Sequence, residues 1–224
     1  MKRISLIALV LSMMMVFAVA MPALAAPSPT VPDLGDVDDE YEFEDPDVPS
    51  SGFIMDVIKD ASQSNDPKVK KVYEKIEKFL AHWQSKSGNA KEVFAKKVLD
   101  LIAELLPEGY DLADLDLDEL VVMTSLNYKE EFGSVKATFE FATEYEEGDT
   151  LVAVAGVFDD AVLEAEESED ENAEFKDDAD WQPLAAEVVK SADGKNRVKI
   201  TFTKEALNKI GDKPFALGIL KGKK

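Results

Sequence analysis

The stretch Thr150-Leu-Val-Ala-Val-Ala-Gly-Val-Phe158 decides the fold class that the sequence predicts. It is apolar at nearly every position and carries no charge. The turn-forming pairs Gly148-Asp149 and Asp159-Asp160 bound it on either side. A valine-rich run of this length between turns is typical of a strand that is covered on both faces. We therefore predict a central, buried strand at 150–158, around which the other strands are arranged.

The segments around this strand alternate apolar and polar residues, as half-buried strands do. The predicted strands lie at 120–128, 135–141, 150–158, 181–189, 197–203 and 214–220. Asp193-Gly194 predicts a hairpin turn, and Thr203 is a suitable N-cap for a short helix at 204–210. Six strands with short turns predict an antiparallel β-sandwich over 120–224. It resembles the immunoglobulin fold in architecture only, because the cysteine pair and the tyrosine corner are absent.

Residues 52–119 have a helical period instead. A short helix is predicted at 53–61, and Asp66-Pro67 is a strong start signal for a second one. A third is predicted at 90–106, with an apolar stripe that we interpret as core and not as an exposed docking face. The fold class is therefore α+β, with an N-terminal helical hairpin or three-helix segment followed by the sandwich.

The amino terminus has the form of a secretory signal over residues 1–25. Lys2 and Arg3 precede an apolar run, and Ala23 and Ala25 lie at the spacing that signal peptidase requires. The alternative is an uncleaved anchor, but the run is short of the roughly 20 residues that a spanning helix needs. Residues 26–51 are rich in proline and acid, which predicts a disordered spacer. We expect a secreted or extracytoplasmic protein.

Composition excludes several function classes. The formal charge of −21 repels nucleic acid and anionic lipid, so we expect neither nucleic acid nor, after signal cleavage, membrane as a partner. The chain has no cysteine and one histidine, His82, which excludes disulfides, cysteine chemistry and the usual histidine-rich zinc sites. The expected partner is an extracellular protein or a glycan.

Two acidic stretches suggest calcium, and neither completes a site. Asp114-x-Asp116-x-Asp118 imitates a calcium loop, but position 6 is Glu119 where glycine is needed, and position 12 is Ser125. We interpret the leucines between these acids as buried anchors. The predicted acidic loop at 159–180 has twelve acids and one lysine. No cofactor is expected, although weak calcium binding stays open through Asp159, Asp160, Asp177, Asp178 and Asp180.

No catalytic motif stands out. His82 lies near the end of a predicted helix, and neither a Gly-x-Ser-x-Gly elbow nor a phosphate-binding loop is present. Paired carboxylates can hydrolyse glycosides, but with 46 acids a suitably spaced pair carries no information. Trp181 follows the acidic loop and is the candidate for stacking on a sugar ring. The competing interpretation places Trp181, like Trp83, Tyr128 and Tyr145, in core or edge packing.

The sequence thus predicts an exported, non-enzymatic binding or interaction protein of the bacterial cell surface or extracellular space. The signal and the absence of a catalytic constellation support this, together with a fold class that often serves binding. Two alternatives stay open: a carboxylate-based extracellular hydrolase and a calcium-responsive extracytoplasmic module.

Overall fold

The computed structural model describes residues 41–44, 52–58, 60–86, 88–164 and 179–223. Its strands form one antiparallel sheet that curls into a half-barrel. The eight strands are β1 (Tyr41–Phe43), β2 (Ile54–Val57), β3 (Leu115–Leu126), β4 (Val135–Phe139), β5 (Leu151–Val157), β6 (Asp180–Lys190), β7 (Asn196–Phe202) and β8 (Phe215–Gly222). The order across the sheet is β1-β4-β7-β6-β5-β8-β3-β2.

The α-helices are α1 (Pro67–Ser85), α2 (Ala90–Val93), α3 (Lys96–Leu105), α4 (Asp160–Glu164) and α5 (Lys204–Ile210). As predicted, Asp66 caps α1 and accepts from the amide of Lys68. Thr203 likewise caps α5 through the amide of Ala206. Both caps satisfy an amide that the first helical turn leaves without an intrahelical partner.

The sheet separates two hydrophobic cores. The inner core lies inside the curl and includes Phe202 and Phe215, together with Leu207 of α5. The outer core lies between the sheet and the helices, where α1 packs on β3 and β8 and α3 packs on β6. Ile76 of α1 and Ile102 of α3 are buried there.

Strand β5 belongs to both cores, which confirms the prediction of a strand covered on both faces. Leu151, Ala153, Ala155 and Val157 point into the inner core, while Val152 and Val154 point into the outer one. Every residue of β5 is buried. Burying a valine or leucine side chain fully contributes about 1.5–3 kcal/mol, so this strand gains stability on both sides.

The predicted two-sheet sandwich is not what the described residues form. A single sheet curls until its edge strands, β1 and β2, face each other along a line that we call the seam. Tyr41 of β1 bridges the seam: its hydroxyl donates to the carbonyl oxygen of Met55 at 2.9 Å and accepts from the amide of Met55 at 2.8 Å. Alternating polarity is common to a sandwich and a curled sheet, so the pattern could not separate them.

The helix predicted at 53–61 is also wrong. Its residues form β2 and then a short 3-10 helix, Ala61–Gln63. Met55 and Val57 point into the inner core, which is the two-residue period of a strand. The helix predicted at 90–106 is interrupted at Phe94 and Ala95, whose backbones are extended. Two leucines of its predicted stripe, Leu101 and Leu105, are each 39% exposed.

The helices do not pair as a self-contained hairpin but cover the outer face of the sheet. Likewise, Tyr41–Phe43 lies within the predicted disordered spacer, yet it pairs with β4 as an edge strand. The predicted signal at 1–25, with Ala23 and Ala25, and spacer residues 26–40 and 45–51 lie outside the described residues. Among the helices described, none has the length and apolar character needed to cross a bilayer.

Candidate functional site

Polar side chains gather at one end of the half-barrel, where β3 begins, β8 ends and the connection from β4 to β5 crosses. We call this connection, residues 140–150, the strap. Asp118, Glu119, Tyr145, Asp149 and Lys221 lie here and form what we call the rim cluster. They come from β3, from β8 and from the strap.

A β-bulge orients Glu119 at this end. In the pairing of β3 with β8, Leu117 lies opposite Leu220 and Glu119 lies opposite Ile219, so Asp118 is the extra residue. A bulge of this kind redirects the side chains that follow it. Beyond the bulge, Glu119 shares its face of the strand with Val121 and so points toward the inner core.

Glu119 is a buried carboxyl group with one backbone donor. It is 1% exposed, and its Oε1 accepts from the amide of Thr143 in the strap at 2.8 Å. Burial raises the pKa of Glu119 above its ordinary value, because water no longer solvates the ionised form. Hydrogen bonds from the side chain and from the backbone amide of Thr143 oppose this rise in pKa, and the charge of Asp118 adds to it.

Tyr145 anchors the strap in the inner core. It is 4% exposed, and its ring centroid is 6.3 Å from that of Phe141. Burial raises the pKa of the Tyr145 hydroxyl, and the charges of Glu119 and Asp118 raise it further. The side-chain amide of Asn196 on β7 holds the strap from the other side by donating to the Tyr145 carbonyl at 2.9 Å.

An ion pair fixes the far end of the strap. Asp149 Oδ2 lies 2.8 Å from Lys221 Nζ, and the Asp149 side chain is 2% exposed. The same oxygen accepts from the amide of Glu146 at 2.9 Å. The Lys221 ammonium also lies 5.4 Å from the centroid of the Tyr145 ring, within cation–π range. Burial raises the pKa of Asp118 nearby, and Lys221 opposes that rise.

The outer surface of the strap is strongly acidic. Residues 140–150 contain five acidic residues and no basic one. Glu144, Glu146 and Glu147 are exposed on the strap, and we call these three side chains the acidic rim. Chemically, this end of the molecule offers buried groups that can take up protons beneath a surface that attracts cations.

Trp181, the predicted sugar-stacking residue, belongs to the outer core. It is 4% exposed, and its ring centroid lies 4.8 Å from that of Phe79 and 5.4 Å from that of Phe94. Trp83 is buried in the same core and Tyr145 in the inner one. In this arrangement Trp181 presents no face to solvent, and its geometry matches the competing interpretation of core packing.

The aspartates of the imitated calcium loop do not converge on one point. Asp114 ends a short 3-10 helix, Asp116 pairs with Lys223 at 2.9 Å, and Asp118 lies in the bulge. Leu112, Leu115, Leu117 and Leu120 all pack in the outer core, as predicted for anchors. In the part of the chain that the structure describes, no group of three or more histidines and carboxylates could hold a metal ion.

The acids at the ends of the predicted acidic loop have lysine partners. Asp160 pairs with Lys68 of α1 at 2.8 Å, and Asp180 pairs with Lys209 of α5 at 2.8 Å. Asp177 and Asp178 lie outside the described residues. His82 is half-buried in the last turn of α1, near the helix end as predicted, and its carbonyl accepts from Ser85 Oγ at 2.7 Å.

Sequence reasoning missed the rim cluster because its members are far apart in the chain. In the sequence, Glu119 stands out only as a mismatch to a calcium loop. One feature of the sequence could have indicated it. Glu119 directly precedes the apolar run Leu120-Val-Val-Met123 and lies two residues before Val121, so in a strand it shares the face of Val121 and Met123. Comparison with family models, curated proteins and solved structures gave no match, so the function is inferred from the geometry.

Proposed function

We propose that this chain is an exported, non-enzymatic binding protein of the bacterial cell surface or extracellular space, and that its partner docks on the acidic rim. The observation that carries the proposal is the closed end of the half-barrel. The strap covers the rim cluster there, and Glu144, Glu146 and Glu147 project into solvent. Binding at this end therefore has to use the outer surface of the strap.

The charge of this surface favours a cationic partner. The chain as a whole carries −21, and the strap has no basic residue to offset its carboxylates. Complementary charge steers a partner toward such a surface and sets the register of the complex. We therefore favour a basic segment of an extracellular protein, and a neutral glycan is the alternative partner.

A matched pair of variants tests this proposal. The purified chain is titrated against extracellular proteins, basic peptides and glycans, at low and at high salt. The triple variant with Glu144→Gln, Glu146→Gln and Glu147→Gln is expected to weaken binding about tenfold or more at low salt, because screening is weakest there. The control changes Glu74, Glu92 and Glu104 on the helices to Gln and removes the same total charge.

Saturable binding that only the strap variant weakens supports the proposal. Equal losses in both triple variants indicate that net charge alone governs binding and count against a site on the strap. Binding to a glycan that is insensitive to salt favours the alternative partner. If none of the proteins, peptides and glycans binds the chain saturably, the proposal is contradicted.

The carboxylate-based hydrolase remains the second candidate, and Glu119 is the observation in its favour. A carboxyl group with a raised pKa can act as a general acid, and Asp118 is adjacent to it. Against it, Glu119 is 1% exposed and substrate has no direct approach to it. Assays on a polysaccharide panel with Glu119→Gln and Asp118→Asn decide: activity at background in the native chain ends this candidate.

The calcium-responsive module depends on the acidic segment between α4 and β6, of which residues 165–178 lie outside the described residues. Calorimetry with calcium tests it on the full chain and on a chain that lacks 165–178. The module is supported if calcium binding releases or absorbs heat and raises the melting temperature in the full chain but not in the shortened one. The absence of both effects in the full chain ends it.

A further inference from the structure

We propose that the strap is a pH-sensitive latch, which stays closed over the rim cluster while Glu119 is protonated and opens more often once Glu119 is ionised. The proposal concerns opening of the strap and does not require that any partner bind there. It assigns to Glu119 a role in positioning the strap.

Several contacts attach the closed strap to the half-barrel, and three of them involve the rim cluster. The amide of Thr143 donates to Glu119 at 2.8 Å, and Asp149 pairs with Lys221 at 2.8 Å. Between them, Tyr145 is buried in the inner core. The carboxyl group of Asp149 is paired with an ammonium group, whereas that of Glu119 accepts from Thr143. Protonation therefore affects the attachment at Glu119 most directly.

The groups around Glu119 are mainly anionic. Asp118 adjoins it on β3 and its charge acts on Glu119 directly, and the Tyr145 hydroxyl of the strap senses the charge of Glu119. Asp149 of the strap and Lys221 of β8 act on Asp118. Asp116 lies further along β3 and is paired with Lys223. Ionisation of Glu119 therefore adds a carboxylate to a cluster that already holds Asp118 and Asp149, with one ammonium group among them.

Thermodynamic linkage fixes the direction of the switch. In the closed state burial raises the pKa of Glu119 above its ordinary value of 4.5, whereas an open strap returns the group to water and to that value. Ionised Glu119 is therefore more stable in the open state, so a rise in pH favours opening. Each unit of difference in pKa between the two states changes the opening equilibrium about tenfold.

Amide hydrogen exchange on the full chain tests the latch at Thr143. After correction for the intrinsic pH dependence of exchange, the protection of the Thr143 amide is expected to fall as the pH rises above 4.5, by about tenfold for each unit by which closure raises the pKa of Glu119. The amide of Ala153, in the buried β5, reports global unfolding, and its protection is expected to exceed that of Thr143 at every pH. Glu119→Gln should remove most of this pH dependence at Thr143. Glu144→Gln, an exposed strap carboxylate, should behave as the native chain.

Three results would overturn the latch. The first is constant protection of Thr143 in the native chain, and the second is an unchanged fall in Glu119→Gln. The third is protection of Thr143 equal to that of Ala153, which indicates that the strap opens only by global unfolding. If Glu119→Gln does not fold, Asp118→Asn replaces it: removing this neighbouring charge should make the fall smaller, and an undiminished fall contradicts the proposal. None of these outcomes bears on the binding test, which uses the exposed glutamates.

Discussion

The indole of Trp181 lies directly against the α-carbon of Gly156, its cross-strand neighbour in the pairing of β5 with β6. A β-carbon at position 156 would stand 2.7 Å from Cζ3 of the indole. The glycine therefore makes room for one of the two tryptophans of the outer core. This contact joins the central strand to Phe79 of α1, because Trp181 packs on both.

Gly156→Ala should destabilise the fold, because the indole cannot move without disturbing α1. We expect a loss of about 1–3 kcal/mol in the free energy of unfolding, the usual cost of overpacking. Urea denaturation measures it. The control is a double-mutant cycle with Trp181→Leu, in which the two losses should combine to less than their sum. Strictly additive losses would show that the two residues do not clash.

Glu119→Gln should stabilise the protein at neutral pH. The pKa of Glu119 is higher in the folded than in the unfolded chain. The stability that the protonated side chain contributes to the fold is therefore fully present below about pH 4.5. That contribution is lost as the pH rises through the folded-state pKa, when a buried carboxylate has to ionise. Calorimetry should give a melting temperature a few degrees above that of the native chain at pH 8 and little difference at pH 4. A lower melting temperature of the variant at pH 8 contradicts this.

Lys221→Met should be far more damaging than Lys223→Met, two residues later and just past the end of β8. Lys221 pairs with Asp149, whose side chain is 2% exposed, so the substitution removes an ammonium group from beside a buried carboxylate. Breaking a buried pair in this way costs about 3–5 kcal/mol. Lys223 pairs with Asp116, and both side chains are about half exposed, so we expect a loss below about 1 kcal/mol. Equal effects of the two substitutions in urea denaturation would contradict the burial of Asp149.

Local signals predicted much of this fold from the sequence. The strand at 150–158, the hairpin turn at Asp193-Gly194 and the helix at 204–210 follow from polarity, turn residues and capping, which act over a few neighbouring positions. The helix at 53–61 failed because Phe53, Val57 and Ile58 satisfy a helical spacing by coincidence. In the structure, pairing with β3 decides the conformation of this segment.

The candidate site was beyond local reasoning. Glu119, Tyr145 and Lys221 come together only because the bulge in β3, the strap and the end of β8 meet at one end of the half-barrel. Nothing in the neighbourhood of Lys221 in the sequence distinguishes it from the nearby surface Lys223. The pairing of distant strands supplies that distinction, because it places Lys221 opposite Leu151 at the start of β5.

The seam gives the last prediction, since one hydroxyl there replaces the ladder hydrogen bonds that two edge strands would otherwise exchange. Tyr41→Phe keeps the aromatic ring, whose centroid lies 5.3 Å from that of Phe53. It removes both hydrogen bonds between the Tyr41 hydroxyl and the backbone of Met55. Because each such bond contributes about 0.5–1.5 kcal/mol, we expect a loss of about 1–3 kcal/mol.

Urea denaturation measures the loss at the seam, and amide exchange should show lower protection at Met55. Tyr73→Phe is the matched control, because the Tyr73 hydroxyl bonds Glu77 on the exposed side of α1 at 3.1 Å. We expect that control to change stability by less than about 0.5 kcal/mol. If Tyr41→Phe changes the free energy of unfolding as little as Tyr73→Phe does, and the Met55 amide stays protected, the half-barrel does not depend on the Tyr41 hydroxyl. Its edges would then be held by the packing of Phe43, Phe53 and Phe132.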